Sequence, residues 1–339
     1  MKTLLLLLSI IFMTFTVQSQ PKVITVDNRA NSGADYTDLS VAVTSATVGD
    51  TIQIHPSATA YGNISVNKTL HLVGLGHNPA ISKFGEVANV GNITLSGDCD
   101  NTTISGLSVN QIKTSNPVID ITDILIKNNK INSYVICANN TAIQDWIVEG
   151  NIFVTSYVQP YGEGWIIKNN IFDNTSYALH NADNTDSFLN NLVILANGNF
   201  AYICANPIVN NNIFILEGTT QSVNLYNSAI DFNYCLTENP VGYPVTALPG
   251  SNNLDDTNPG FSFDWANIDD YYNNDYNVSG SAANAGSDGT DLGVFGANFN
   301  FDVDGRPDDY PYMTSLVISN SSVPLGQNIN VTFTAGKKQ

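Results

Sequence analysis

Charge is what this 339-residue chain has least of: only 12% of its residues are Asp, Glu, Lys or Arg, about half the usual share. Basic side chains are the scarcest, 12 Lys and Arg against 30 Asp and Glu, and arginine occurs only at Arg29 and Arg306. A net charge of −18 leaves no footprint for nucleic acid, and polyanionic glycans would be repelled unless a cation bridged them. Among Cys99, Cys137, Cys204 and Cys235 there is no CxxC pair and no zinc spacing, which leaves a disulfide or buried free thiols as the open readings. Long apolar runs are missing too, apart from Leu4 to Phe15. With Lys2 before it and "VQS" after it, that run reads as a cleaved export signal over residues 1–19 and is too short to span a bilayer. A secreted or cell-surface protein with no membrane span is expected. Its loss takes Lys2 away and leaves a mature charge of −19.

What is abundant is Asn, Ser, Thr, Ile and Val, a β composition, and it is arranged periodically. "WIIKNNIF" (165–172) recurs as "WIVEGNIF" (146–153), "ILIKNNKI" (124–131) and "PIVNNNIF" (207–214). Alignment on one Asn gives Asn129, Asn151, Asn170, Asn191, Asn212 and Asn233, at intervals of 22, 19, 21, 21 and 21. Three residues before it stand Ile126, Val148, Ile167, Phe188, Val209 and Ile230; two after stand Ile131, Phe153, Phe172, Val193, Phe214 and Cys235. Both positions should face a shared core. A period near 21 suits one coil of a parallel β-helix, three short strands and three turns per circuit. The aligned Asn is expected to take the left-handed backbone of a tight turn and to bond its counterparts one coil above and below. Leucine-rich repeats also stack asparagines, but the segments between these runs lack leucine spacing and helix formers.

Residues 33–76, "GADYTDLSVAVTSATVGDTIQIHPSATAYGNISVNKTLHLVGLG", resemble the opening of pectin-lyase-like right-handed β-helix proteins: an amphipathic cap helix, a "GDTI" strand, a "YGNI" coil and a "LVGLG" coil. Thr37 or Asp38 would cap the helix, with Leu39, Ala42, Val43 and Ala46 on one face. The resemblance runs from residue 23 to about 236. It implies an all-β, right-handed parallel β-helix (β-solenoid) with an N-terminal cap helix and a short C-terminal β tail. The expected division is a signal at 1–19, strand and cap helix at 20–50, coils at 51–236, an acidic cap at 237–312 and the tail at 313–339. Residues 273–296, "NNDYNVSGSAANAGSDGTDLGVFG", resemble the closing segment that precedes surface-anchoring tails in exported bacterial β-helix proteins. That implies a surface-anchoring or secretion system as a partner.

Enzymes of this family act on acidic polysaccharides, and their motifs are mostly absent here. Pectate lyases use an arginine base beside calcium-binding aspartates, whereas Arg29 and Arg306 lie outside the repeats. Asn184-Thr185-Asp186 matches the first polygalacturonase motif, without the ones that follow. Gly305-Arg306-Pro307 and "DWIVEG" (145–150) echo pectin methylesterases, yet the second is simply a local copy of the repeat.

The alignment itself nominates Asp123 and Asp145, six before the Asn, with Glu163 seven before and Asp186 five before. On successive coils such carboxylates would have the separations of glycosidase pairs; short polar side chains that open strands are the plainer reading. His180, near Asp183 and Asp186, is a candidate acid–base group or a surface-loop histidine. Tyr157, Tyr161 and Glu163 are candidate substrate contacts, and Trp146 and Trp165 are expected to stack in the core. Lys127, Glu149 and Lys168 should form an exposed salt-bridge ladder. Leu125, Ile147, Ile166 and Ile208 should face outward beneath a cover supplied by residues 261–272. Residues 255–309 hold 12 Asp and one Arg, with Asp288, Asp291, Asp302 and Asp304 as candidate calcium donors; calcium is the one cofactor suggested, and solvated loops are the alternative. The reading is an exported polysaccharide-binding or adhesive scaffold with a glycan partner. The alternative is a glycoside hydrolase, lyase or pectin-esterase-like enzyme using the carboxylates, disfavoured because no basic residue converges on them.

Overall fold

The computed structural model describes residues 20–82, 85–115, 120–137, 143–173, 177–263, 270–308, 310–320 and 322–337, so the expected signal lies outside the described residues. Parallel strands stack into a β-helix. One eleven-stranded sheet runs from Val23–Val26 through Thr51–Ile54, His71–Val73, Thr103–Ser105, Leu125–Lys127, Ile147–Glu149, Ile166–Lys168, Ser187–Leu189, Ile208–Asn210 and Phe232–Asn233 to Gly250–Ser251, carrying the coils beyond residue 236. A thirteen-stranded sheet starts with Ile64–Lys68, Asn89–Asp98 and Ser108–Thr114 and forks at Lys130–Ile136. That strand pairs with both Ile152–Val154 and Tyr157–Gln159, because its register shifts between Ile131 and Tyr134. Each later coil therefore has three walls.

Leu39–Ser45 is the cap helix, with Asp38 accepting from the Val41 amide at 3.1 Å and Leu39, Ala42, Val43 and Ala46 buried over the open end of the core. Ile126, Val148, Ile167, Phe188 and Val209 line the interior at 0% exposure, as do Ile131, Phe153, Phe172, Val193 and Phe214. Trp146 and Trp165 stack inside at 4.5 Å, and Phe153 and Phe172 at 4.4 Å. All four cysteines are buried free thiols.

The asparagine ladder is real, with two corrections. Each Oδ1 from Asn151 to Asn212 accepts both the backbone N–H and the Nδ2 of the Asn one coil before it, at 2.8–3.1 Å. Each Nδ2 also reaches a carbonyl of the preceding coil, Val148 in the case of Asn170. The sixth rung, however, is Cys235 rather than Asn233: Ile213 pairs with Leu236, which sets Asn212 opposite Cys235, while Asn233 pairs with Asn210, and Asn253 resumes the ladder by accepting the Cys235 amide at 2.9 Å. The loop before Cys235 is two residues longer than the period. The left-handed backbone, moreover, belongs to the residue before each rung, Asn128, Gly150, Asn169, Asn190, Asn211 and Tyr234.

The C-terminal region folds back along the solenoid, over a different stripe from the one expected. Ile152, Ile171, Leu192, Ile213 and Leu236, one residue after the rungs, form a second buried cluster with Tyr271, Tyr276, Leu292, Val294 and Phe301. Phe261 and Phe263 pack against it; Trp265 lies outside the described residues. Leu125, Ile147 and Ile166 are half-buried and Ile208 is 47% exposed. Glu149 is buried rather than exposed: Lys127 and Lys168 flank it at 2.8 and 3.1 Å, Asp308 binds Lys127 at 2.7 Å, and Phe299 lies beneath Lys127.

Candidate functional site

Parallel coils sit about 4.8 Å apart, close to the separation at which aromatic rings attract. An aromatic residue repeated at one outward position of successive coils must therefore stack. On the second arm of the forked sheet five rings fall into one row of four contacts, with one step in register: Tyr157 lies opposite Ala178 and His180 opposite Gln159, so the Tyr157–His180 contact is diagonal. Tyr134 pairs with Tyr157, Val158 with Leu179, and His180 with Tyr202, which pairs with Tyr226. Val135, Val158, Leu179 and Ala201 point inward and are buried, so the alternate residues point outward. The ring centroids follow one another at 5.3, 4.1, 5.3 and 4.9 Å. Tyr177 stands edge-on to His180 at 5.7 Å. Tyr134, Tyr157, Tyr177, His180 and Tyr202 are half-buried, and Tyr226 at the end is 49% exposed.

Stacking covers the ring faces. Solvent meets their edges, the phenol oxygens and the open face of Tyr226. Burial among the rings pushes the His180 imidazole down to about 4, so near neutral pH it is an uncharged ring in the row. Its Nε2 is buried without a hydrogen-bond partner.

The row continues toward the N-terminus as amides. Gln111 pairs with Tyr134 and Asn92 pairs with Gln111. Asn92 accepts from Asn110 at 2.7 Å and lines a polar groove of about 450 Å³ with Asn63, Ser65, Thr94 and Lys113. One wall of the solenoid thus carries a groove of amides and hydroxyls, with Lys68 and Lys113, on the same sheet as an uncharged aromatic strip, the buried Gln111 lying between them in register. Tyr157 and His180 belong to the strip; Tyr134, Tyr202 and Tyr226 were missed. Their spacing is the signal that could have found them, aromatic rings at intervals of 23, 23, 22 and 24 residues.

The carboxylates do not form one stripe. Asp123 and Asp145 are exposed on adjacent coils, in left-handed turns that Asn101, Gly164 and Asn206 occupy elsewhere. Asp186 falls one residue further on, in line with Trp146 and Trp165, and is turned inward at 2% exposure. Its two oxygens accept the Trp165 and Asp183 amides at 2.9 Å, so it closes a turn; burial raises its carboxyl to about 6. His180 stacks with tyrosines and is not joined to Asp186. Tyr161 packs against the core, with its hydroxyl accepting from Asn181 at 2.8 Å, while Glu163 is exposed beside Gln144.

The four candidate calcium donors each have partners within the protein. Asp288 accepts from Thr290, Asp291 from the Asn284 amide and Asp302 from the Asp304 amide, while Asp304 accepts from Asn78 and pairs with Arg306 at 2.8 Å. Among the described residues no group of three or more His, Cys, Asp or Glu could hold a metal, and no helix is long and apolar enough to cross a membrane.

No protein-family model and no curated protein matches the chain. Among solved structures, a complex of XylC with xylose matches with 12% identity and a TM-score of 0.27, over 65% of this chain and 55% of that one. The present chain spans about half the length of that protein, and a likeness this loose adds nothing to the chemistry of the site.

Proposed function

We propose that the protein is an exported glycan-binding scaffold whose contact face is the wall bearing Tyr134, Tyr157, His180, Tyr202 and Tyr226. One observation carries this reading: five rings in one half-buried row share a sheet with a groove lined by amides, hydroxyls, Lys68 and Lys113. Sugars present C–H patches and hydroxyls side by side, which ring edges, phenols and carboxamides meet in kind. The net charge of −18 favours a neutral polysaccharide over a polyuronate. Binding is favoured over catalysis because Asp186 is committed to backbone amides, away from Asp123 and Asp145.

The test is affinity electrophoresis over a panel of neutral and acidic polysaccharides. Binding to a neutral member, weakened tenfold or more in Tyr157→Ala/Tyr202→Ala with melting preserved, is the expected result. Equal binding by that variant overturns the reading. A second reading rests on the adjacency of Asp123 and Asp145: release of reducing ends, unsaturated products or methanol, abolished in Asp145→Asn, would establish it.

A further inference from the structure

The acidity of the chain is unevenly spread. Residues 51–119 hold Lys68, Lys83 and Lys113 against Glu86, Asp98 and Asp100, so this stretch is balanced and the entire net charge of −18 lies outside it. Within it is the groove of about 450 Å³ beside the cap helix, lined by Asn63, Ser65, Asn92, Thr94, Lys68 and Lys113 among others and by no carboxylate. Ser65 lies opposite Thr94 and Thr94 opposite Lys113, while Ile64, Ile93 and Ile112 beside them are buried, so these three polar groups point outward from successive coils. The acceptors of the groove amides are taken and their donors are not. The Asn63 Oδ1 accepts the Asn92 backbone amide, and the Asn92 Oδ1 accepts from Asn110, both at 2.7 Å, which leaves the two Nδ2 groups without partners among the described residues. Lys68 donates to the Thr44 and Ala46 carbonyls at 3.0 and 2.9 Å and keeps a third N–H to spare. The Lys113 ammonium has no ion pair or hydrogen bond among the described residues, whereas Arg29, Lys127, Lys168 and Arg306 each have a carboxylate within 3.1 Å. Asp98, opposite Lys68 in register, is exposed and makes no ion pair with it.

We infer that this groove binds an oxyanion, a carboxylate, sulfate or phosphate group, carried as a substituent on the glycan; the inference rests on the reading of the tyrosine row as a glycan face. Two ammonium groups and a set of uncommitted amide and hydroxyl donors, with no carboxylate among them, are complementary to such a group. The placement joins the groove to the rings. Lys113 is in register with Ile136, Ile136 with Gln159 and Gln159 with His180, so the ammonium stands in the row of His180, three coils or about 14 Å before it. An extended chain lying on the rings reaches Lys113 without turning. The acidic surface elsewhere repels a densely charged polyanion, whereas an isolated acid on a neutral backbone meets only the groove.

Titration calorimetry tests this with the neutral polysaccharide that the parent protein retains and with the same polysaccharide sparsely carboxymethylated or sulfated. The substituted form should bind about fivefold more tightly, as one half-exposed charge contact allows, and the advantage should shrink as salt rises. Lys113→Gln should bring the two affinities together, and Lys113→Arg should keep them apart. Inorganic sulfate reads the groove without any glycan: at constant ionic strength it should shift the amide resonances of residues 63–68, 92–94 and 111–113 in a saturable way that chloride does not reproduce, and Lys113→Gln should weaken the effect. Equal affinity for the two polysaccharides, an advantage that survives in Lys113→Gln, or no saturable response to sulfate overturns the inference. Saturation by sulfate with neither polysaccharide bound also overturns it, because the glycan face then fails while the groove takes a free anion.

Discussion

Asn169 and Asn170 are consecutive in the chain, and their side chains leave the solenoid wall in opposite directions. Asn170 points inward, donating to the Asn191 Oδ1 at 3.0 Å and to the Val148 carbonyl at 2.9 Å. Asn169, in the left-handed conformation at φ 54°, points outward and donates to the carbonyls of Val294 and Gly296 at 3.1 and 3.0 Å. Asn128 reaches Arg306 and Asn211 reaches Ser287 in the same way. One residue of each pair ties coil to coil, and the other ties the coils to the C-terminal cover.

The two substitutions should therefore separate. Asn170→Ala leaves the Asn191 acceptor short of a donor inside the wall and should cost about 1–3 kcal/mol, read as a lower melting temperature. Asn169→Gly keeps the left-handed turn but drops two bonds to the cover. It should quicken proteolysis within residues 287–301 while the main transition moves little. Equal effects on both readouts would refute this division of labour.

Glu238 should make stability depend on pH. It is 8% exposed, its Oε2 has no hydrogen-bond partner, and burial together with Asp256 raises its carboxyl to about 7. Because the folded value lies above the unfolded one, its contribution is full below the ordinary carboxyl value of 4.5 and is lost as pH rises through about 7. Melting temperature should fall between pH 5 and pH 8, on the order of that window, and Glu238→Gln should flatten this part of the profile.

Glycan binding should be insensitive to His180 titration near neutrality, since its imidazole titrates at about 4. His180→Phe preserves the ring row and should preserve affinity between roughly pH 5 and 8. His180→Ala breaks the row between Tyr157 and Tyr202 and should weaken binding. A His180→Phe variant that lost binding would show that the imidazole nitrogens make the contact.

The thiols should resist labelling in the native protein. Burial raises Cys99 and Cys204 to about 11 and Cys137 and Cys235 to about 12, so almost no thiolate is present at pH 8. A chromogenic disulfide reagent should count four thiols only after denaturation. Fewer than four would reveal a disulfide.

EDTA should leave the melting temperature unchanged, because Asp288, Asp291, Asp302 and Asp304 are spent on turn amides, Asn78 and Arg306. A shift on adding calcium back would show that the acidic cover gathers donors after all.

The 21-residue period, the inward positions around each Asn, the cap helix and the buried tryptophans were legible because each is a local pattern that stacking simply repeats. A one-residue offset was not. At the left-handed turns a single step along the chain swings a side chain from solvent into the core, which is why Asp145 is exposed and Asp186 is buried although both looked like members of one stripe. Loop length blurred the sixth rung in the same way, since Cys235 takes it at an interval of 23 residues from Asn212. The sequence by itself thus determined the parallel coil and its asparagine spine, through short-range periodicity and hydrophobic alternation. Only the tertiary structure decided which outer stripe the cover buries and that His180, opposite Gln159 in register, joins the tyrosine row diagonally, because both depend on how the forked sheet brings together residues that no single repeat contains.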